Sequence, residues 1–152
     1  MQKIFLLICI CFLISRNGFS QTNIIKVNPI FFAAGFFHAT YEHALNSKSS
    51  LSLGMGFYAG NDGGFAATSE YRFYITHKNR PSPAGFYAGP NILLLNIVDD
   101  VETSIGALIG YQWVWKSGVS LDLGLGPQYS LVGDTFGNGV LPYGVFAIGY
   151  HW

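Results

Sequence analysis

Apolar side chains recur at every second position over long stretches of this chain. Leu51, Leu53, Met55, Phe57 and Ala59 alternate with Ser52, Gly54, Gly56 and Tyr58. Ile105, Ala107, Ile109, Tyr111, Trp113 and Trp115 alternate with Ser104, Gly106, Gly110 and Gln112, and Val119, Leu121, Leu123 and Leu125 with Ser120, Asp122, Gly124 and Gly126. A period of two marks a strand whose faces meet different surroundings. A helix does not fit, because no apolar stripe at spacing three to four emerges and each glycine would cost a helix about 1 kcal/mol. The pattern predicts eight strands, near 23–33, 35–45, 50–60, 65–75, 84–95, 102–115, 118–130 and 141–152. Turns at 46–49, 77–83 and 116–118 alternate with a second set at 34–35, 61–64, 98–101 and 133–140, the order of an up-and-down antiparallel meander. Pro29, Pro90, Pro127 and Pro142 fall inside these strands; each lacks a ladder donor and is expected near a strand end or a bulge.

Composition adds an address. Lys3 precedes the apolar run Ile4 to Ile14, which is too short to cross a bilayer as a helix and reads as a secretory leader. Small residues Gly18 and Ser20 suit cleavage after Ser20, so residues 1–20 are expected to be removed, leaving a single β-barrel domain over residues 21–152. Cys9 and Cys11 both lie in the leader, which excludes disulfide, thiolate-metal and nucleophilic-cysteine chemistry from the remainder. Of the eight Lys and Arg, Lys3 and Arg16 also lie there, so six face eight Asp and Glu in the mature chain, a near-neutral balance that offers nucleic acid no electrostatic footprint.

Half of the residues are apolar, yet beyond the leader no run approaches the roughly 20 apolar residues of a membrane helix. A closed antiparallel sheet is the other structure that satisfies its own backbone in hydrocarbon. Alternation alone does not say which face is inside, but three features do. The polar-side residues are mostly Gly, Ser, Thr and Gln, suited to a narrow wet lumen. Large aromatics collect toward one set of strand ends at Tyr41, Tyr71, Phe73, Phe86, Trp113, Trp115, Tyr150 and Trp152, and toward the other at Phe31, Phe37, Phe57, Phe65 and Tyr129, in the manner of membrane-interface girdles. Charge is sorted as well. One set of turns carries Lys48, Lys78, Arg80 and Lys116, and the other carries Asp62, Asp99, Asp100, Glu102 and Asp134. The remaining charges, Lys26, Glu42, Glu70, Arg72 and Asp122, sit within strands on the face assigned to the interior.

A leader, eight alternating strands, glycine-rich inward rows and the terminal Tyr150-His151-Trp152 together resemble the small OmpA/OmpX-like outer-membrane β-barrels. More narrowly, Ile25-Lys26-Val27-Asn28-Pro29, Tyr41-Glu42-His43-Ala44-Leu45, Glu70-Tyr71-Arg72-Phe73-Tyr74, Gly85-Phe86-Tyr87-Ala88-Gly89-Pro90 and Gly110-Tyr111-Gln112-Trp113 are similar to segments of short, functionally uncharacterised outer-membrane barrels. The resemblance implies an eight-stranded transmembrane barrel in the outer membrane of a Gram-negative bacterium. It also implies contact with outer-membrane lipid and lipopolysaccharide, and a C-terminal insertion signal, Tyr150 and Trp152, read by the barrel-insertion machinery. Ala147 and Val145 depart from that signal, which commonly has glycine and a polar residue there.

Among candidate sites, the five strand charges form the best one. Glu70 and Arg72 are two apart on one strand and point the same way, within reach of a network with Glu42, Asp122 and Lys26. An unpaired charge in a desolvated lumen is costly, so mutual pairing is expected, with the lumen filled by this cluster and by Tyr58, Tyr74 and Tyr87. His38 and His43, five apart, face opposite sides, so no histidine metal cluster is expected, and no cofactor is called for. The acidic run Asp99-Asp100-Val101-Glu102 could hold a divalent cation against lipopolysaccharide phosphates, although such a run is more often a solvated loop. A lipid-modifying enzyme of this shape would pair histidine with serine; His38-Ala39-Thr40 beside Glu42 has a different hydroxyl. The expectation is a non-enzymatic barrel with a structural or surface-interaction role. A small-molecule or lipid-binding barrel is the alternative, and a pore ranks lower because eight strands leave only enough interior for side chains.

Overall fold

The structure, a computed structural model, describes residues 22–58, 63–75, 83–97, 100–133 and 139–152. The predicted leader, His77, Lys78, Arg80, Asp62, Asp99 and Asp134, and much of the loops placed at 61–64, 77–83, 98–101 and 133–140, lie outside the described residues. The strands are β1 (Asn23–Val27), β2 (Phe36–Asn46), β3 (Ser49–Tyr58), β4 (Gly64–Tyr74), β5 (Gly85–Ile97), β6 (Asp100–Val114), β7 (Val119–Val132) and β8 (Val140–His151). Each pairs antiparallel with its neighbours in sequence, and β1 pairs with β8 to close the barrel. Asn23 and Trp152 exchange both backbone hydrogen bonds, at 3.3 and 3.0 Å, so the final residue belongs to the closing seam.

The short connections follow from turn chemistry. Ser47 and Lys48 form a two-residue turn closed by the Asn46↔Ser49 pair, and the Asn46 side chain accepts from Lys48 N at 2.8 Å. Gly118, at φ 88°, lets the chain reverse between Trp115 and Val119, a geometry that disfavours side chains.

The predicted strand 23–33 requires correction. Only its first half is extended, and Pro29–Ala33 form a short helix, α1. Asn28 is the cause: its side chain accepts from the N–H of both Ile30 and Phe31 at 3.0 Å, while Pro29 takes the first helical turn, where its missing N–H costs nothing. Glu102 is a second correction. Its charge groups it with the acidic loop although the predicted strand 102–115 begins there; it lies inside β6, which starts at Asp100, and its carboxylate is buried, with Oε2 lacking a hydrogen-bond partner. Tyr58 is a third: it was expected to fill the lumen but stands half-exposed at the end of β3.

Two of the prolines mark a shared device. Pro90 and Pro127 each follow a glycine, and at each Gly-Pro pair the ladder to the preceding strand is interrupted, between Glu70/Phe73 and Asn91/Ala88 and between Gly106/Ile109 and Gln128/Leu125. Proline has no N–H to donate across the gap. The carbonyl oxygens of Tyr71 and Ala107 instead crowd the space that a Cβ on Gly89 or Gly126 would need, so only glycine admits them. The ladder on the other side of each proline is unbroken. Gly144 differs, since a Cβ there would meet nothing nearer than 3.9 Å.

The device sets a testable contrast. Gly126→Ala should destabilise the barrel by about 1–3 kcal/mol, the usual range for overpacking against backbone that cannot yield. Gly144→Ala should lie within about 0.5 kcal/mol of the parent. Urea-unfolding midpoints compare the two; equal midpoints would mean that the Gly126 contact is not tight.

Candidate functional site

Alternation turns most polar strand side chains inward, where a few apolar ones, Ile24 and Leu108 among them, are buried with them. Lys26, Glu42, Glu70, Arg72 and Asp122 come from β1, β2, β4 and β7, and all five are buried. The structure brings them together in one cluster inside the barrel. Lys26 Nζ donates to Glu42 Oε2 at 2.6 Å, Asp122 Oδ2 at 2.7 Å and Gln112 Oε1 at 2.8 Å, which uses all three of its protons. Arg72 donates from Nε and Nη2 to Glu70 Oε2, and from Nη1 to Asp122 Oδ2 at 2.6 Å and Glu42 Oε2 at 3.3 Å. Its guanidinium lies 4.4 Å from the centre of the Tyr87 ring, a cation–π contact out of water.

Each carboxylate also accepts a hydrogen bond from a tyrosine hydroxyl. Tyr74 donates to Glu42 Oε1 at 2.6 Å, Tyr87 to Asp122 Oδ1 at 2.8 Å and Tyr143 to Glu70 Oε1 at 3.0 Å, while Ser50 adds a second hydroxyl donor to Glu42 Oε1. All six carboxylate oxygens of the cluster are therefore hydrogen-bonded. Gln112 joins the two cations through its carbonyl and donates from its amide to the Pro83 carbonyl. With Ser50 on β3, Tyr87 on β5, Gln112 on β6 and Tyr143 on β8, every one of the eight strands contributes a side chain.

Glycines make room for this filling. A Cβ on Gly124 would come within 2.6 Å of the Tyr87 hydroxyl, and one on Gly110 would run into the same ring. On β8, a Cβ at Gly149 would lie 2.6 Å from Cγ of Lys26. Toward the acidic-loop end the interior is held by a lighter network, in which Asn91 donates to Gln128 at 2.9 Å and Gln128 to Ser104 at 3.0 Å. His38, Thr40 and Thr68 converge over Gly54. His43 stands on the outer face, where its ring and the Tyr41 hydroxyl each meet Asn23 Oδ1 at 2.7 Å.

No protein-family model, characterised protein or solved structure matches the chain. Its chemistry is therefore read from its own side chains. The cluster is closely knit, with all six carboxylate oxygens and all three Lys26 protons engaged within it. Among the described residues no group of three His, Cys, Asp or Glu is arranged to hold a metal ion. Glu42, the carboxylate nearest His38 and Thr40 in sequence, is engaged by Lys26, Arg72, Ser50 and Tyr74. A ligand-binding lumen would place concave apolar surface inside. Two adjoining apolar grooves of about 490 Å³ lie instead on the wall around Ala107 and Pro127.

Tyr150 and Trp152 lie on the outer face at the closing seam, both partly exposed. Pairing with the cluster was not anticipated for Tyr143 or Gln112, although their parity would have shown it. Tyr143 lies directly across the ladder from the inward Gly126, and Gln112 from Asp122.

Arg72→Met should destabilise the barrel by about 3–5 kcal/mol, because it strands three buried carboxylates beside a single remaining cation. Adding Glu70→Gln should recover part of the loss. Equilibrium unfolding of both variants checks this, and an Arg72→Met protein as stable as its parent would contradict the pairing.

Proposed function

We propose that this chain is an outer-membrane β-barrel of a Gram-negative bacterium, with a structural or surface-interaction role and a lumen closed by side chains. One observation carries the reading: burial is inverted relative to a water-soluble barrel. Among the described residues eighteen buried residues are polar or charged and seven are hydrophobic, whereas thirty-two large hydrophobic residues are exposed. Water would penalise such an exterior, and hydrocarbon would not. The exposed set includes Phe73, Phe86, Trp113, Trp115, Tyr150 and Trp152 toward one rim, and Phe37, Phe57, Phe65 and Tyr129 toward the other, with Leu53, Met55, Ile109 and Leu125 between. That is the layout of two aromatic girdles around an apolar band.

On this reading residues 1–20 direct export and are removed. An even number of strands leaves both termini on one side, the periplasm. The turns bearing Lys48 and Lys116 then face inward, and the acidic loops face the medium. Lipid and lipopolysaccharide surround the band, and Tyr150 and Trp152 present the terminal strand to the insertion machinery. The mutual engagement of the charged cluster suits a structural role for it.

The mature protein should fractionate with outer membranes and migrate differently on gels before and after boiling, as a closed hydrogen-bonded barrel resists detergent. Recovery as a soluble periplasmic monomer would overturn the assignment. Trp152→Asp should reduce outer-membrane levels while leaving export intact. Normal levels of that variant would make Trp152 a packing residue only.

A further inference from the structure

The barrel wall changes character above Val27. β8 pairs with β1 only from His151 to Ile148, so from Val140 to Ala147 its ladder partner is β7 alone. Trp152 exchanges hydrogen bonds with Asn23 on the β1 side, whereas His151 N donates to Gly118 on the β7 side. Strand alternation then turns the backbone N–H and C=O groups of Gly144 and Phe146, and the C=O of Pro142, toward the place that β1 vacates. α1 lies there, against β8 and β2. Among the described residues no backbone hydrogen bond joins α1 to β8.

Little holds α1 in its helical form. It has five residues, none buried, with Ile30 and Phe32 among the most exposed side chains, and so short a helix is not self-sustaining. Its anchors are the Asn28 cap, the edge contacts of Phe31 with Phe36 and His38, with ring centroids 5.7 and 6.1 Å apart, and the edge contact of Phe32 with Phe37 at 4.8 Å. The strand register is meanwhile already extended by one residue, since Asn28 N donates to His38 O at 3.2 Å. Carried on, that register sets Pro29 opposite Phe146 and Phe31 opposite Gly144, and leaves 32–35 as the turn into β2.

We propose that Pro29–Phe31 is a strap that unwinds and completes β1 when the barrel enters the bilayer. The inference rests on the membrane reading above. Hydrocarbon supplies neither donors nor acceptors, so an open strand edge that water tolerates becomes costly there. Unwinding satisfies Phe146 N–H with Pro29 C=O, and lets Phe31 and Gly144 exchange both their bonds. It also turns Phe31 out to the lipid face and Ile30 inward beside Phe36. The strap gives up one helical turn, two cap bonds and the ring contacts of Phe31 and Phe32 in exchange.

The test uses the mature protein in phospholipid nanodiscs, studied by NMR. Extended carbon shifts at Pro29–Phe31, with Gly144 and Phe146 amides exchanging as slowly as that of the paired Ile148, are the expected result. Asn28→Ala, which removes the helix cap, should leave that protection unchanged. Helical shifts at Pro29–Ala33 together with fast Gly144 exchange, in a protein that has entered the discs, would overturn the strap and leave the membrane reading intact. A protein that does not enter the discs at all would overturn both.

Discussion

Two cations and three carboxylates share the middle of this barrel, and each of the eight strands reaches them with at least one side chain. Every strand is therefore tied across the lumen as well as to its two neighbours. Burying five charges carries a desolvation cost of several kcal/mol per ion, and it is offset only when geometry is good and remaining lone pairs are filled. Here three tyrosines and a serine fill them, one tyrosine to each carboxylate. An incomplete version of the same cluster would be worse than an apolar core, which gives the plug an all-or-none character.

The outer wall follows from the same constraint. With much of the interior taken by this polar filling, most large apolar residues face outward, where the alternation of the strands puts them, and only a few, such as Ile24 and Leu108, are buried inside. Glycine then acts as a space-maker rather than a hinge. Gly110 and Gly124 receive Tyr87, Gly149 receives the Lys26 stem, and Gly89 and Gly126 receive backbone carbonyls at the two Gly-Pro breaks. A mostly apolar exterior and a mostly polar interior are two consequences of one sorting rule.

Much of this was legible in the sequence, because a period of two fixes the face of every residue once one charged position is assigned to the interior. The order of strands and the inward direction of Lys26, Glu42, Glu70, Arg72 and Asp122 follow from parity alone. Parity does not report where a strand stops. Ile24 to Phe32 reads as a continuous apolar run broken by Lys26, Asn28 and Pro29, and only the local competition between an Asn28 cap and a ladder bond decides for a helix. Glu102 was hidden for a different reason: three acids in four residues look like a solvated loop, yet Glu102 shares the parity of Ser104 and Gly106. Tyr58 has inward parity but sits at a strand end, where alternation no longer constrains the side chain.

The closed lumen is the claim on which the plug depends. Planar-bilayer recording from the reconstituted parent protein tests it most directly. No steady conductance should appear at moderate voltage, because the cluster spans the interior from wall to wall. A stable open channel in the parent protein would contradict the account.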